Sequence, residues 1–179
     1  MFVSLVTFLA RTKQEFLAVG VDVKIQEQVQ IQIANLDLTK EQQVFLIEGN
    51  SLEALPNFVE QNAKFDVVLI DGDHNYHTVS NELKFLEAIT HQHSIVLIDD
   101  YLGRWSDKDL WYAEREGYEE NKTVSARVET EKHGVKPAVD EWLAEHTDWH
   151  SSTPVSGEPI VLARKTPQEI EMTNEQPRT

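Results

Sequence analysis

No cysteine occurs among the 179 residues, which excludes disulfides, thiolate zinc sites and a cysteine nucleophile and fits a reducing, cytoplasmic setting. Basic residues are scarce. Sixteen Lys and Arg stand against 31 Asp and Glu, giving a formal net charge of -15, the wrong sign for a binder of phosphate backbones, so no nucleic-acid partner is expected. Long apolar runs are missing too. The opening MFVSLVTFLAR has no basic stretch ahead of it and no small-residue cleavage site behind it, and it falls well short of the roughly 20 residues a membrane span needs. It reads as an amphipathic helix with Leu5, Phe8 and Leu9 turned inward, and no membrane partner is expected. Glycine is thin, at 20, 49, 72, 103, 117, 134 and 157, and no two positions are close enough to form a G-x-G phosphate or cofactor turn.

What is present is an ordinary globular composition, 40% hydrophobic and 26% charged, in a chain long enough for one domain with a real core. Short apolar runs alternate with helical patterns, the signature of an α/β fold with a mostly parallel sheet. Residues 16–23 (FLAVGVDV) form the first predicted strand, apolar as a strand covered on both faces should be, and 25–36 the helix after it. Residues 43–48 (QVFLIE) form the second strand. Ser51 is the expected N-cap of the next helix, which would bury Leu52, Leu55, Phe58 and Val59. Residues 65–70 (FDVVLI) form the third strand and 94–98 (SIVLI) the fourth, joined by a helix carrying Tyr76, Val79, Leu83, Leu86 and Ile89. Residues 102–134 lose the pattern yet hold Trp105, Trp111, Tyr112 and Tyr118, which suits a cover over a site. A helix with Val135, Val139, Trp142 and Leu143 on one face follows. Residues 149–155 and 159–164 then read as a closing antiparallel pair with Gly157 in the turn. The expected organisation is one α/β domain over 1–165 and a disordered tail over 166–179.

Two segments carry the chemistry. The third strand runs into Asp71-Gly72-Asp73-His74 and the fourth into Asp99-Asp100, so if the strands are parallel neighbours their carboxylates meet at one sheet edge, where α/β folds bind ligands. Adjacent carboxylates repel unless something positive lies among them, and a hard divalent cation such as Mg²⁺ suits oxygen donors. The plainer alternatives are a solvated acidic rim, and Asp73 or His74 serving only as a helix cap. Asp22, ending the first strand, suits the hydroxyls of a ribose or the cap of the following helix. Asn50 suits an adenine edge or an Asx turn. His77 and the His91–His93 cluster fall too far from Asp71 to build a zinc site with it, and His91 and His93 read as a solvated turn.

The segments VGVDVK around Asp22, EGNS at 48–51, VVLIDGDHNY at 67–76 and IVLIDDY at 95–101 resemble, in this order, the class I S-adenosylmethionine-dependent methyltransferases. The likeness is nearest to the small-molecule O-methyltransferases of the catechol and caffeoyl-CoA type and their sugar-modifying relatives. The resemblance implies a Rossmann-like, doubly wound, mostly parallel sheet whose last strand, PIVLAR, is antiparallel. It implies that Asp22 binds the ribose of S-adenosyl-L-methionine, that Asn50 and Ser51 lie near its adenine, and that Asp71 borders the cofactor. Asp71, Asp99 and Asp100 match the family's metal ligands, with Asp100 standing where catechol-type enzymes carry asparagine. His74 falls near the family's catalytic lysine, so His74 is the implied general base, acting with Asp71, and a small hydroxylated molecule the implied acceptor. The family's first strand and glycine-rich turn would precede the opening helix. They are not seen in the sequence, so the fold is expected to be truncated at its start and this chain alone to bind S-adenosylmethionine weakly or not at all. Two other readings suit the same residues: a metal-dependent glycosyl or nucleotidyl transferase using Asp71-Gly72-Asp73 as a D-x-D motif, and a non-catalytic domain that kept the sheet.

Overall fold

The computed structural model describes residues 1–118, 120–154, 158–166 and 168. Its chain forms two compact units, Met1–Ala54 with Tyr112–Ala126, and Leu55–Trp111 with Arg127–Thr179.

The first unit begins with helix α1, Phe2–Thr12, followed by β1, Phe16–Asp22; α2, Glu27–Ala34; and β2, Gln42–Glu48. The two strands pair in parallel from Phe16 against Gln42 to Asp22 against Glu48. The inward face of α1 differs from the expected one. Val6 and Ala10, one helical turn apart, are buried, while Phe8 is 64% exposed and Leu5 also faces outward. Phe2 sits over Gly20, where a Cβ would come within 3.1 Å of the ring, so the missing side chain lets the helix lie on the strand. Leu17 of β1 is exposed, so this strand is not sheltered along its whole length. Buried Gln42 ties the pieces together, its Nε2 donating to the carbonyls of Gln14 at 2.9 Å and Ala10 at 3.4 Å, and its Oε1 accepting from Thr39 N–H.

Helix α3, Ser51–Glu60, opens in the first unit and ends in the second. Its cap is Asn50, one residue earlier than expected, whose Oδ1 accepts from Leu52 N–H at 2.9 Å. The second unit then runs β3, Phe65–Ile70; α4, Tyr76–Leu83; α5, Leu86–Ile89; β4, Thr90–Ile98; α6, Val135–Glu145; β5, Trp149–Ser152; and β6, Ile160–Arg164. The strand order is β3-β4-β6-β5. β3 and β4 are parallel, while β6 lies antiparallel to both of its neighbours, as the sequence led one to expect. The single helix expected after β3 is broken into α4 and α5. β4 begins earlier than expected, so His91 and His93 sit in a strand rather than a turn. The first closing strand ends at Ser152; Val155, its expected end, Gly157 of the expected turn, and nearly all of the tail after Lys165 lie outside the described residues.

Period-two alternation along β3, β4 and β6 turns Val68, Ile70, Val96, Ile98, Ile160 and Leu162 to one side. There they meet Val79 and Leu83 of α4, Leu86 and Ile89 of α5, and Val135, Val139 and Trp142 of α6. Each fully buried Val, Leu or Ile in this cluster contributes about 1.5–3 kcal/mol. Trp142 meets Trp149 edge to face at 5.1 Å. The other face carries Val67 and Ile95, partners across the ladder and both exposed. None of the described helices is long and apolar enough to cross a membrane.

Candidate functional site

Parallel pairing of Ile70 with Ile98 brings the residues after them together: Asp99 N–H donates to the Ile70 carbonyl at 2.9 Å, so Asp71 and Asp99 emerge side by side at the C-terminal edge. Their carboxyl groups share a hydrogen bond. Burial, then that bond and the charge of Asp99, and after them the charge of Asp100, push the Asp71 carboxyl up from 3.8 to about 6. Asp100 follows in a left-handed backbone conformation, φ 56°, which asparagine and aspartate tolerate better than most residues. Its buried carboxylate crosses Gly103, where a Cβ would run into Asp100 Oδ1 and Glu158 Oε2. A side chain at 103 would oblige these two carboxylates to move aside.

His74 closes the group. Its ring is buried between two acids, with Nδ1 3.5 Å from Asp100 Oδ2 and Nε2 3.9 Å from Asp71 Oδ1. Neither Asp73 nor His74 caps α4. That role belongs to Asn75, fully buried, whose Oδ1 accepts from Thr78 N–H at 2.8 Å. Asp73 lies beside it, its Oδ2 accepting from the Thr78 hydroxyl at 3.4 Å.

Asp71, His74 and Asp99 each bring one donor atom within 4.8 Å of the others, close enough for one cation to bridge them. The donor set fits a divalent ion: two adjacent carboxylates whose charges oppose each other, and one imidazole. Asp100, expected as the third ligand, stands on the far side of the His74 ring and is not one of these three. If the imidazole is itself a ligand, Mn²⁺, Fe²⁺ or Zn²⁺ suits the site better than Mg²⁺. If it is free to act as a base, the remaining oxygens suit Mg²⁺.

In the first unit, Asp22 and Asn50 stand at the C-terminal ends of β1 and β2, where Gly49 N–H donates to the Asp22 carbonyl at 2.9 Å. Asp22 Oδ1 accepts from Lys24 N–H at 2.9 Å. Asn50 Nδ2 donates one of its two N–H groups to Ser125 Oγ at 2.8 Å, and Ser51 begins α3. Of the aromatic-rich segment 102–134, Gly117, Tyr118, Asn121, Thr123 and Ser125 contact the residues at these strand ends. Asn121 Nδ2 and Thr123 Oγ1 both donate to the Val23 carbonyl, and Lys24 Nζ donates to Gly117 O and lies 5.3 Å from the Tyr118 ring. Asp22, Asn50 and Ser51 thus sit in one unit, and Asp71, His74, Asp99 and Asp100 in the other.

Sequence reasoning missed Asp109 and Glu158. Asp109 makes three hydrogen bonds to backbone and imidazole N–H groups, from positions 24 to 33 residues away, and no local pattern announces such an arrangement.

Among solved structures the fold is similar to the MycE methyltransferase of the mycinamycin biosynthetic pathway, crystallised with Mg, S-adenosylhomocysteine (SAH) and mycinamycin VI, at 12% identity and TM-score 0.51. That match covers 93% of this chain and 48% of MycE, so the chain spans about half the length of that relative. A Bacillus cereus O-methyltransferase in complex with SAH matches at 10% identity and TM-score 0.52, and a Corynebacterium glutamicum protein at 13% and 0.53, each covering 92% of this chain and 80% of the other. Comparison with curated protein sequences found no match. These likenesses establish a Rossmann-like α/β fold of the methyltransferase type. A family described as methyltransferase domain matches residues 2–101, from α1 through the acids after β4, and the chain belongs to that family.

Proposed function

We propose that residues 1–165 act as an S-adenosylmethionine-dependent methyltransferase domain that methylates a hydroxyl group of a small molecule with the help of a divalent cation. The observation that carries this reading is the Asp71–His74–Asp99 group at the paired C-terminal ends of two parallel strands, within a chain of the methyltransferase family. MycE, a structural neighbour, was crystallised with Mg and SAH, which supports the same pairing of metal and methyl donor here.

When bound, S-adenosylmethionine supplies an electrophilic methyl group and the cation supplies a Lewis acid that makes an acceptor hydroxyl more acidic. Asp71 and Asp99 hold the cation's position. His74 has the Asp100 carboxylate on its Nδ1 side, which favours the Nδ1–H tautomer and leaves Nε2 to accept the acceptor's proton, an imidazole being suited to proton transfer near neutral pH. Asp22 would receive the ribose hydroxyls, and Asn50 and Ser51 would lie beside the base. Beyond proton removal, the chain's contribution is alignment of oxygen and methyl. The acidic surface and the aromatic segment suit an uncharged or cationic hydroxylated acceptor such as a sugar or a phenol.

The test is transfer of a labelled methyl group to a panel of sugars and phenols, with and without EDTA. EDTA-sensitive transfer to a hydroxyl, lost in Asp99→Asn, supports the reading. Transfer indifferent to EDTA removes the metal, and transfer to nitrogen or carbon removes the hydroxyl acceptor.

A further inference from the structure

We propose that Asp109 is a positioning residue for His74: it fixes the three-residue link that carries the imidazole between Asp71 and Asp100. The proposal rests on the site reading above and adds a residue that the reaction itself does not touch.

Residues 74–76 lead from the loop after β3 into the first turn of α4, and every one of them is tied to the segment Asp109-Leu110. Leu110 N–H donates to the His74 carbonyl at 2.9 Å, Asn75 Nδ2 donates to the Leu110 carbonyl at 3.2 Å, and Tyr76 N–H donates to Asp109 Oδ1 at 2.9 Å. Asp109 is anchored from the opposite side as well. Gly134 N–H reaches the same Oδ1 at 2.8 Å, and His133 Nδ1 lies 2.7 Å from Oδ2. Burial opposes ionisation of this carboxyl, yet the N–H groups of Gly134, Tyr76 and His133 together hold it below the ordinary range. The carboxylate therefore joins the link before α4 to the start of α6 with three charge-assisted hydrogen bonds.

The His74 ring depends on this bracing. Among the described residues it makes ion-pair contacts with Asp71 and Asp100 but no hydrogen bond that fixes its own orientation, so the placement of its backbone sets where the ring points. The carbonyl of His74 itself is held by Leu110, and Leu110 follows directly on the braced Asp109. Residues that orient a metal-binding or proton-transferring imidazole without touching the ligand typically change affinity by 10- to 100-fold when removed.

The experiment compares wild type, Asp109→Ala, Asp109→Asn and a remote core control, Val139→Ala, by Mn²⁺ binding (electron paramagnetic resonance) and by the His74 ring signals in ¹H–¹³C NMR spectra. Asp109→Asn keeps an oxygen acceptor for the Tyr76 and Gly134 N–H groups. The expected result is about a tenfold loss of Mn²⁺ affinity and displaced His74 signals in Asp109→Ala. Asp109→Asn should stay within about threefold of wild type with its His74 signals in place, and Val139→Ala should keep wild-type affinity despite a lower melting temperature. Wild-type affinity and unmoved His74 signals in Asp109→Ala would overturn the proposal, as would an equal loss in Val139→Ala or in Asp109→Asn. If wild type binds no Mn²⁺, the metal reading fails by itself and the His74 signals alone decide the role of Asp109.

Discussion

Replacing Asp71 by asparagine exchanges a half-buried acid for a neutral amide of the same shape that can still donate a hydrogen bond to Asp99. In the native chain the fold holds the Asp71 proton more tightly than the unfolded chain does, its carboxyl lying near 6 rather than 3.8. An acid raised in this way leaves stability untouched below about pH 4, erodes it between pH 4 and 6, and imposes the full cost above pH 6. A shift of about two units corresponds to about 3 kcal/mol for a fully sheltered group. The side chain is 31% exposed, and solvent screening brings the figure to about 1–1.5 kcal/mol. Asp71→Asn is therefore expected to melt about 3–4 °C higher than wild type at pH 7.5 in EDTA and at the same temperature near pH 4. Adding a divalent cation at about 100 times its dissociation constant reverses the order, because it stabilises wild type by about 2.7 kcal/mol and the variant hardly at all. Thermal melts over pH 4–8, with EDTA and with Mn²⁺, measure all of this. A variant less stable than wild type at pH 7.5 without metal would refute the reasoning, as would a wild type that the cation leaves unchanged.

Mn²⁺ affinity itself should fall as pH drops through 6, by up to tenfold per unit, because the ion has to displace the Asp71 proton; a flat profile between pH 5 and 7 rules Asp71 out as a ligand. Gly103→Ala places a methyl group where the Asp100 and Glu158 carboxylates now lie, and because these are side-chain ends that can turn away it should cost no more than about 1 kcal/mol in urea unfolding. A larger loss shows that the two acids do not swing aside freely. Asn75→Ala removes the cap of α4 and strands the Leu110 carbonyl in the interior, for an expected loss of about 2–3 kcal/mol. A loss below about 0.5 kcal/mol indicates that water replaces the amide.

Where chemistry repeats along the chain, the sequence was easy to read. Residues 65–70 emerge as β3 with the expected ends, because an unbroken apolar run closed by Asp-Gly has one natural interpretation. The matching end of β4 then puts Asp71 beside Asp99 by register alone. The face of α1 was not readable in the same way: apolar residues occupy positions 2, 3, 5, 6, 8, 9 and 10, so the pattern runs nearly all round and only packing onto Gly20 selects Val6 and Ala10. Both caps were misplaced by a residue or two, Asn50 acting in place of Ser51 and Asn75 in place of Asp73 or His74. Each stretch offers several side chains able to cap, and backbone geometry chooses between them. Asp109 was beyond reach because its meaning comes from partners brought together by the fold alone.

The hydrogen bond from Asn50 to Ser125 engages one of the two amide protons of the residue proposed to meet the base, and so fixes which way the amide faces. A base edge arriving there meets the remaining N–H in an orientation already set, without first having to still a rotating side chain. Deleting the Ser125 hydroxyl would free the amide to turn and should narrow any difference in affinity between adenosine and a nucleoside with another base. On the proposed reading, selectivity at this strand end would depend on Ser125 as well as on the strand that presents Asn50.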